Sequence, residues 1–175
     1  MIQASIKYVE EDSAPLAQAA LVQAKNYLEK NKKSLPDEIA GTRDAVLEAM
    51  VLMTEKTTSN LIQDIFMHLA DAYFPDHWGG LVDTINNFNS SDDSIRIRAG
   101  LLMTKQLFSL FEHQDKKELV AQLIEALFGN LINVYTQAVE RASSDQAAQY
   151  FVLQILKIFY LTCQLRLPLL TQNNT

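Results

Sequence analysis

From Leu119 to Ala138 the chain carries an apolar residue at every third or fourth position, and this period limits the possible folds more than any other feature. Side chains at that spacing lie on one face of an α-helix. The sequence predicts eight helical segments in all. The 175 residues include only five glycines and four prolines, so few residues interrupt these segments. So low a content of glycine and proline is not typical of a turn-rich β-sandwich. The sequence therefore predicts an all-α fold.

Residues 94–100, SIRIRAG, alternate between polar and apolar side chains as a β-strand would. They lie between Asp92-Asp93, a pair that can cap a helix, and residues 101–111, whose apolar positions have helical spacing. We therefore predict that SIRIRAG forms the first turns of a helix.

The stretch FPDHWGG holds the only tryptophan of the chain, Trp78, and separates two predicted helices. Pro75 disfavours helix in the residue before it, so it ends the first of the two helices. We predict that the next helix runs from about Trp78 to Phe88. An aromatic residue at helical spacing is usually a packing residue, and we expect Trp78 to lie in the core rather than to stack on a ligand.

The sequence also matches itself after a shift of 80 residues. The matched positions are Asp12 with Asp92, Ala19 with Ala99, Leu21 with Leu101 and Lys25 with Lys105. If the shift of 80 residues spans two repeats, each repeat is about 40 residues long, which is the period of HEAT-type helix pairs. We therefore predict a single solenoid array over residues 1–175, in about four helix pairs. The approximate pairs are 1–31, 36–73, 78–112 and 115–167.

Charge and composition limit the partners. The chain has 15 Lys and Arg residues against 21 Asp and Glu residues, a net charge of −6, and no basic run longer than Lys32-Lys33. A basic protein is therefore expected as a partner and a nucleic acid is not. Cys163 is the only cysteine, which fits a reducing compartment. Without a targeting segment or a run of about eighteen apolar residues, we expect a soluble intracellular protein and no membrane insertion.

No motif for catalysis stands out. The sequence has no P-loop, G-x-S-x-G, G-x-G-x-x-G or H-E-x-x-H motif. We therefore predict a protein that is not an enzyme, with no catalytic residue and no cofactor. Asp64, His68 and Asp71 share one helical face and could present three metal ligands, but no second cluster closes such a site. We expect no metal there, and interpret the face as polar, with Asp64 and His68 paired across one turn.

Several segments resemble the N-terminal portion of the importin-beta superfamily of nuclear transport receptors, in its importin seven and eight class. The segments are PDHW, LVDTI, SDDSIRIRAGLL, QILKIFY and LPL, together with LAQAALVQAKNYL at residues 16–28. In the last of these, Gln18, Ala19, Lys25 and Asn26 match the family, whereas Ala17 stands where the family usually has arginine.

The resemblance implies a right-handed α-α superhelix of the HEAT or armadillo type, whose inner helices face protein cargo and the small GTPase Ran in its GTP form. It also implies nucleoporins as partners of the full-length protein and movement between cytoplasm and nucleus. The polar residues expected on the concave face, and hence the candidate partner-binding residues, are Lys25, Asn26, Asp64, His68, Asp71, Arg96 and Lys105. A local ion pair with Asp92 or Asp93 is the alternative for Arg96.

The resemblance starts inside the second repeat of the family and ends after a few repeats, so we expect a fragment of a longer solenoid. Uncovered apolar side chains such as Leu153, Phe159 and Leu167 would then favour self-association. The alternative function is that of a generic helical-repeat scaffold for protein interactions unrelated to Ran.

Overall fold

The computed structural model describes residues 1–10, 13–31, 40–112, 114 and 116–165, and the regular secondary structure of these residues is entirely helical. The described helices are α1 (Ile2–Glu10), α2 (Ala14–Asn31), α3 (Ala40–Leu52), α4 (Lys56–Tyr73), α5 (Leu81–Asn89), α6 (Ser94–Leu110), α7 (Lys117–Arg141) and α8 (Gln146–Gln164). The predicted all-α class is confirmed. The strand-like stretch SIRIRAG opens α6, as predicted.

Aspartate caps begin two of the long helices. The Asp93 carboxylate accepts a hydrogen bond from the backbone N–H of Ile95 at 2.9 Å, at the start of α6. The Asp145 carboxylate accepts from the backbone N–H groups of Ala147 and Ala148 at 2.8 and 3.3 Å, at the start of α8. Each carboxylate supplies an acceptor to backbone donors that have no partner within the helix. The sequence predicts both helix starts, at Asp92-Asp93 for α6 and at residues 143–145 for α8.

Three predicted boundaries need correction. The sequence predicts that α4 starts after Thr58-Ser59, but the helix begins earlier: its cap is Glu55, whose carboxylate accepts from the backbone N–H groups of Thr57 and Thr58. These bonds hold the pKa of Glu55 below its ordinary value. Helix α5 begins at Leu81, after the two glycines, and not at Trp78. For α7 the sequence predicts a capping box of Asp115 and Glu118, whereas the N-cap is Lys116, without a side-chain hydrogen bond. The sequence also predicts that Asp12 caps α2 and that Pro36-Asp37 opens α3; these residues and Asp115 lie outside the described residues.

Removing the α6 cap should have a measurable cost. We expect Asp93→Ala to lower the free energy of unfolding by about 1 kcal/mol, because the N–H of Ile95 loses its acceptor. The neighbouring exposed Asp92 gives a matched control, and Asp92→Ala should change the free energy by less than about 0.5 kcal/mol. Urea unfolding followed by circular dichroism measures both. Equal effects of the two substitutions would contradict the capping role.

The chain divides into two compact units, of which the first is Met1–Gly79. In this unit α1 packs on α2 and α3 on α4, while α1 also contacts α3 and α2 also contacts α4. The unit therefore has two layers, α1 with α3 and α2 with α4. Its core includes the completely buried side chains of Leu21, Val46 and Phe66. Trp78 is buried too, with its ring centroid 5.8 Å from that of Phe66, so the tryptophan is a packing residue as predicted.

The second unit is Gly80–Thr175, and its described helices repeat the same arrangement. Here α5 packs on α6 and α7 on α8, with α5 against α7 and α6 against α8. The aromatic rings of Phe108, Phe128 and Phe159 follow one another across α6, α7 and α8, at centroid distances of 6.0 and 5.1 Å. Layered helix pairs of this kind are compatible with a helical-repeat solenoid. The right-handed superhelix and the single array over residues 1–175 stay predictions.

Among the described helices, α7 is long and apolar enough to cross a membrane by length and composition. Core helices of soluble proteins pass the same test. In this fold Val120, Leu123, Leu127 and Leu131 are buried along α7, and the helix packs on α5 and α8.

Candidate functional site

Three of the candidate residues come together in the first unit, where α2 packs on α4. The buried stripe of α2 includes Ala17, Leu21 and Ala24, and the small alanines allow a close approach between helices. Lys25 follows directly on this stripe, which puts its side chain at the edge of the interface. Its ammonium group donates a hydrogen bond to Asp64 Oδ2 on α4 at 2.7 Å.

A second link joins the same two helices one turn further along. His68 Nε2 of α4 lies 3.3 Å from Glu29 Oε1 of α2, and Glu29 Oε1 is also 4.0 Å from Lys25 Nζ. We refer to Lys25, Glu29, Asp64 and His68 as the α2–α4 cluster. The cluster holds one ammonium group, two carboxylates and one imidazole at a partly exposed site.

The cluster stabilises the charged form of its lysine. The hydrogen bond to Asp64 is the largest cause of a raised pKa for Lys25, and the negative charges of Asp64 and Glu29 act in the same direction. Partial burial opposes them. Lys25 therefore remains a cation at neutral pH, held across the interface between two stacked helices.

The predicted pairing of Asp64 with His68 within one turn of α4 is wrong. Each of these side chains is instead held across the helix interface, Asp64 by Lys25 and His68 by Glu29. Glu29 was not among the candidate residues. Its position four residues after Lys25 on a helix was the available signal, because side chains at that spacing are neighbours.

The other candidates lie apart from the cluster. Asn26 is exposed on α2, and Asp71 is half-buried on α4. Arg96 and Lys105 belong to α6 in the second unit. The exposed Arg96 places its guanidinium 6.0 Å from the ring centroid of Phe88, which is a cation–π contact in place of the predicted ion pair with Asp92 or Asp93.

A different arginine of α6 is set between helices of the second unit. Arg98 makes a hydrogen bond to Tyr150 of α8. Burial raises the pKa of the Tyr150 hydroxyl, and the hydrogen bond and charge of Arg98 oppose this rise. The pair links α6 to α8, much as Lys25 and Asp64 link α2 to α4.

The structure gives no support to the alternative of a metal site on α4. Among the described residues, no group of three His, Cys, Asp or Glu side chains is placed to hold a metal ion. His68 and Asp64, two of the three possible ligands, are engaged by Glu29 and Lys25. What the α2–α4 cluster offers chemically is a set of charges and hydrogen-bonding groups at a partly exposed helix interface.

Comparison with known proteins shows a partial similarity to a nuclear transport protein by name, importin-8. The chain is 38% identical over 104 residues to human importin-8 (Homo sapiens). The match covers 58% of this chain and 10% of importin-8, so the chain spans about a tenth of the length of this curated relative. No family model and no solved structure matches the chain. The chain is thus similar to one part of importin-8.

Proposed function

We propose that the chain belongs to a nuclear transport receptor of the importin-beta superfamily and binds other proteins through the exposed face of α2 and α4. The observation that carries this proposal is the 38% identity to importin-8 over 104 residues. The activity we propose is binding, without catalysis and without a cofactor.

The fold and the charges support a protein-binding role. In each unit the helices form two layers, with α2 on α4 in one and α6 on α8 in the other, and helix layers of this type present continuous surfaces to partners. The α2–α4 cluster includes the carboxylates of Glu29 and Asp64, and the whole chain has a net charge of −6. Basic surfaces are the natural complement of such a face.

The proposed partners are therefore Ran in its GTP form and basic cargo proteins, with nucleoporins added in the context of the full-length receptor. Such a receptor moves between cytoplasm and nucleus. The contact residues we propose are Asn26 and the members of the α2–α4 cluster, with Asp71, Arg96 and Lys105 as further candidates. Since the chain spans a tenth of importin-8, we expect weak binding, because a partial interface has less contact area at nearly the same association cost.

Titration of the chain with Ran loaded with GTP or with GDP tests the proposal. We expect the GTP form to bind more tightly, as measured by isothermal titration calorimetry at low salt, where interactions between exposed charges are strongest. Equal affinity for the two nucleotide states, or no binding of either, would assign the chain to the generic scaffold instead.

A pair of matched variants locates the binding face. Asp64→Asn removes a carboxylate from the α2–α4 cluster, whereas Asp44→Asn makes the same change at an exposed position on α3, in the other layer of the same unit. We expect only Asp64→Asn to change the affinity for Ran or for a basic cargo peptide. Both variants should stay folded, because Asp44 is exposed and the partly exposed ion pair of Asp64 contributes about 1 kcal/mol. An identical response of the two variants would place the contact elsewhere.

A further inference from the structure

Helix α8 exposes three large apolar side chains in a row. Leu153, Leu156 and Tyr160 are 50%, 47% and 69% exposed. Their spacing of three and four residues puts them on one face, which we call the α8 strip. The opposite face of the helix holds the buried residues Phe151, Ile155 and Ile158, through which α8 packs within its own unit. The α8 strip therefore remains accessible after α8 has packed on α6 and α7.

The α8 strip has the composition of a packed surface. When α6 and α8 are aligned on their N-caps, Asp93 and Asp145, each position of α6 corresponds to the position 52 residues later in α8. In this register Leu153 corresponds to Leu101, Leu156 to Thr104 and Tyr160 to Phe108. All three residues of α6 are completely buried. At these three positions α6 is buried within the fold, whereas α8 carries apolar side chains that are exposed. The strip therefore corresponds to a face that is packed in the preceding helix pair.

We propose that the α8 strip is the contact surface between two copies of this chain, paired with their α8 helices antiparallel. The spacing of the strip is self-complementary. With the two helices centred between positions 156 and 157, Leu153 of one copy lies opposite Tyr160 of the second copy at both ends of the contact. The two Leu156 side chains meet at the centre. One patch therefore serves both copies, as a two-fold axis requires.

Charge favours this helix as the place where two acidic molecules meet. The chain has a net charge of −6, so two copies repel each other wherever carboxylates face carboxylates. The 19 residues of α8 include no Asp or Glu and only one charged residue, Lys157. Lys157 is exposed beside the strip, where its aliphatic stem can cover apolar surface while its ammonium group stays in water. The contact involves one helix per copy, and we expect a weak, reversible dimer.

Sedimentation of the whole chain over a range of concentrations tests the proposal. The expected result is a monomer–dimer equilibrium. Leu153→Glu and Tyr160→Lys, each tested alone, should weaken it at least about tenfold, because each sets a charge against an apolar side chain. Leu16→Glu is the matched control. Leu16 is 52% exposed on α2 in the first unit, and this change should leave the dimer unaffected. Circular dichroism checks that the three variants are folded.

Mixing the two disrupted variants gives the sharpest outcome. In the antiparallel pair the new glutamate of one variant faces the new lysine of the other at one end, and the native leucine and tyrosine meet at the other end. The mixture should therefore form a heterodimer that is tighter than the homodimer of either variant. A wild-type chain that stays monomeric at all concentrations would overturn the proposal, and would leave the strip to a different protein or to another segment of this one. Failure of the mixed variants to associate would overturn the antiparallel arrangement. None of these measurements involves Ran, so they are independent of the proposed function.

Discussion

Replacing Phe66 with alanine is expected to lower the free energy of unfolding by about 3 to 5 kcal/mol. The Phe66 side chain is completely buried on α4, and its ring packs on that of Trp78. The substitution leaves a cavity in the core of the first unit that its rigid neighbours fill only in part. Because Trp78 is the only tryptophan, its fluorescence reports on this unit directly, and its emission should shift to longer wavelength as water reaches the ring.

Urea unfolding followed by tryptophan fluorescence, with circular dichroism in parallel, measures this effect. Tyr27 on α2 is the control, since it is an exposed aromatic residue of the same unit. Tyr27→Ala should change the free energy of unfolding by less than about 0.5 kcal/mol. If Phe66→Ala were as mild as Tyr27→Ala, the packing of Phe66 against Trp78 would be wrong.

Two glycine-to-alanine substitutions are expected to have opposite signs. Gly100 lies in α6 where it passes α5, and an added Cβ would collide with Asn89 Oδ1 and come within 3.0 Å of Phe88 Cβ. Asn89 is itself buried and donates to Thr104 Oγ1 at 3.4 Å, so it has little room to move. We expect Gly100→Ala to destabilise the protein by about 1 to 3 kcal/mol, through overpacking.

Gly129 lies in α7, and a Cβ added there meets no atom within 4 Å. Alanine has a higher helix propensity than glycine, so Gly129→Ala should stabilise the protein by about 0.5 to 1 kcal/mol. Thermal unfolding by circular dichroism compares the two variants with the wild type. Stabilisation by both would show that α5 can move away from α6 at little cost.

The helices were predictable because the cause of each one is local. The helix α7 follows from an apolar residue at every third or fourth position. The starts of α6 and α8 follow from an aspartate whose carboxylate accepts hydrogen bonds from the first backbone N–H groups of the helix. The start of α4 was missed because its cap is a glutamate, Glu55, and glutamate is not among the usual N-cap residues. Local signals therefore gave the type of each element more reliably than its first residue.

The candidate site was predictable only in part. Lys25, Asp64 and His68 were expected on the polar face of their helices, and the structure brings these three together. Which charge pairs with which depends on how α2 is rotated and shifted against α4, and a sequence does not fix such an angle within a turn. For that reason Asp64 was paired with the wrong neighbour, and the contact of His68 with Glu29 was missed although the spacing of Glu29 from Lys25 was visible in the sequence.

If a basic partner binds at Asp64 as proposed, the link between Lys25 and Asp64 makes its recognition there an exchange reaction. A lysine or arginine that approaches Asp64 displaces an internal ammonium group, so the number of ion pairs before and after binding is the same. Added salt weakens the pair that is lost and the pair that is gained together, and its effect on affinity at this position largely cancels. The discrimination between partners then depends on geometry, because an incoming cation has to match the 2.7 Å contact that Lys25 already makes with Asp64.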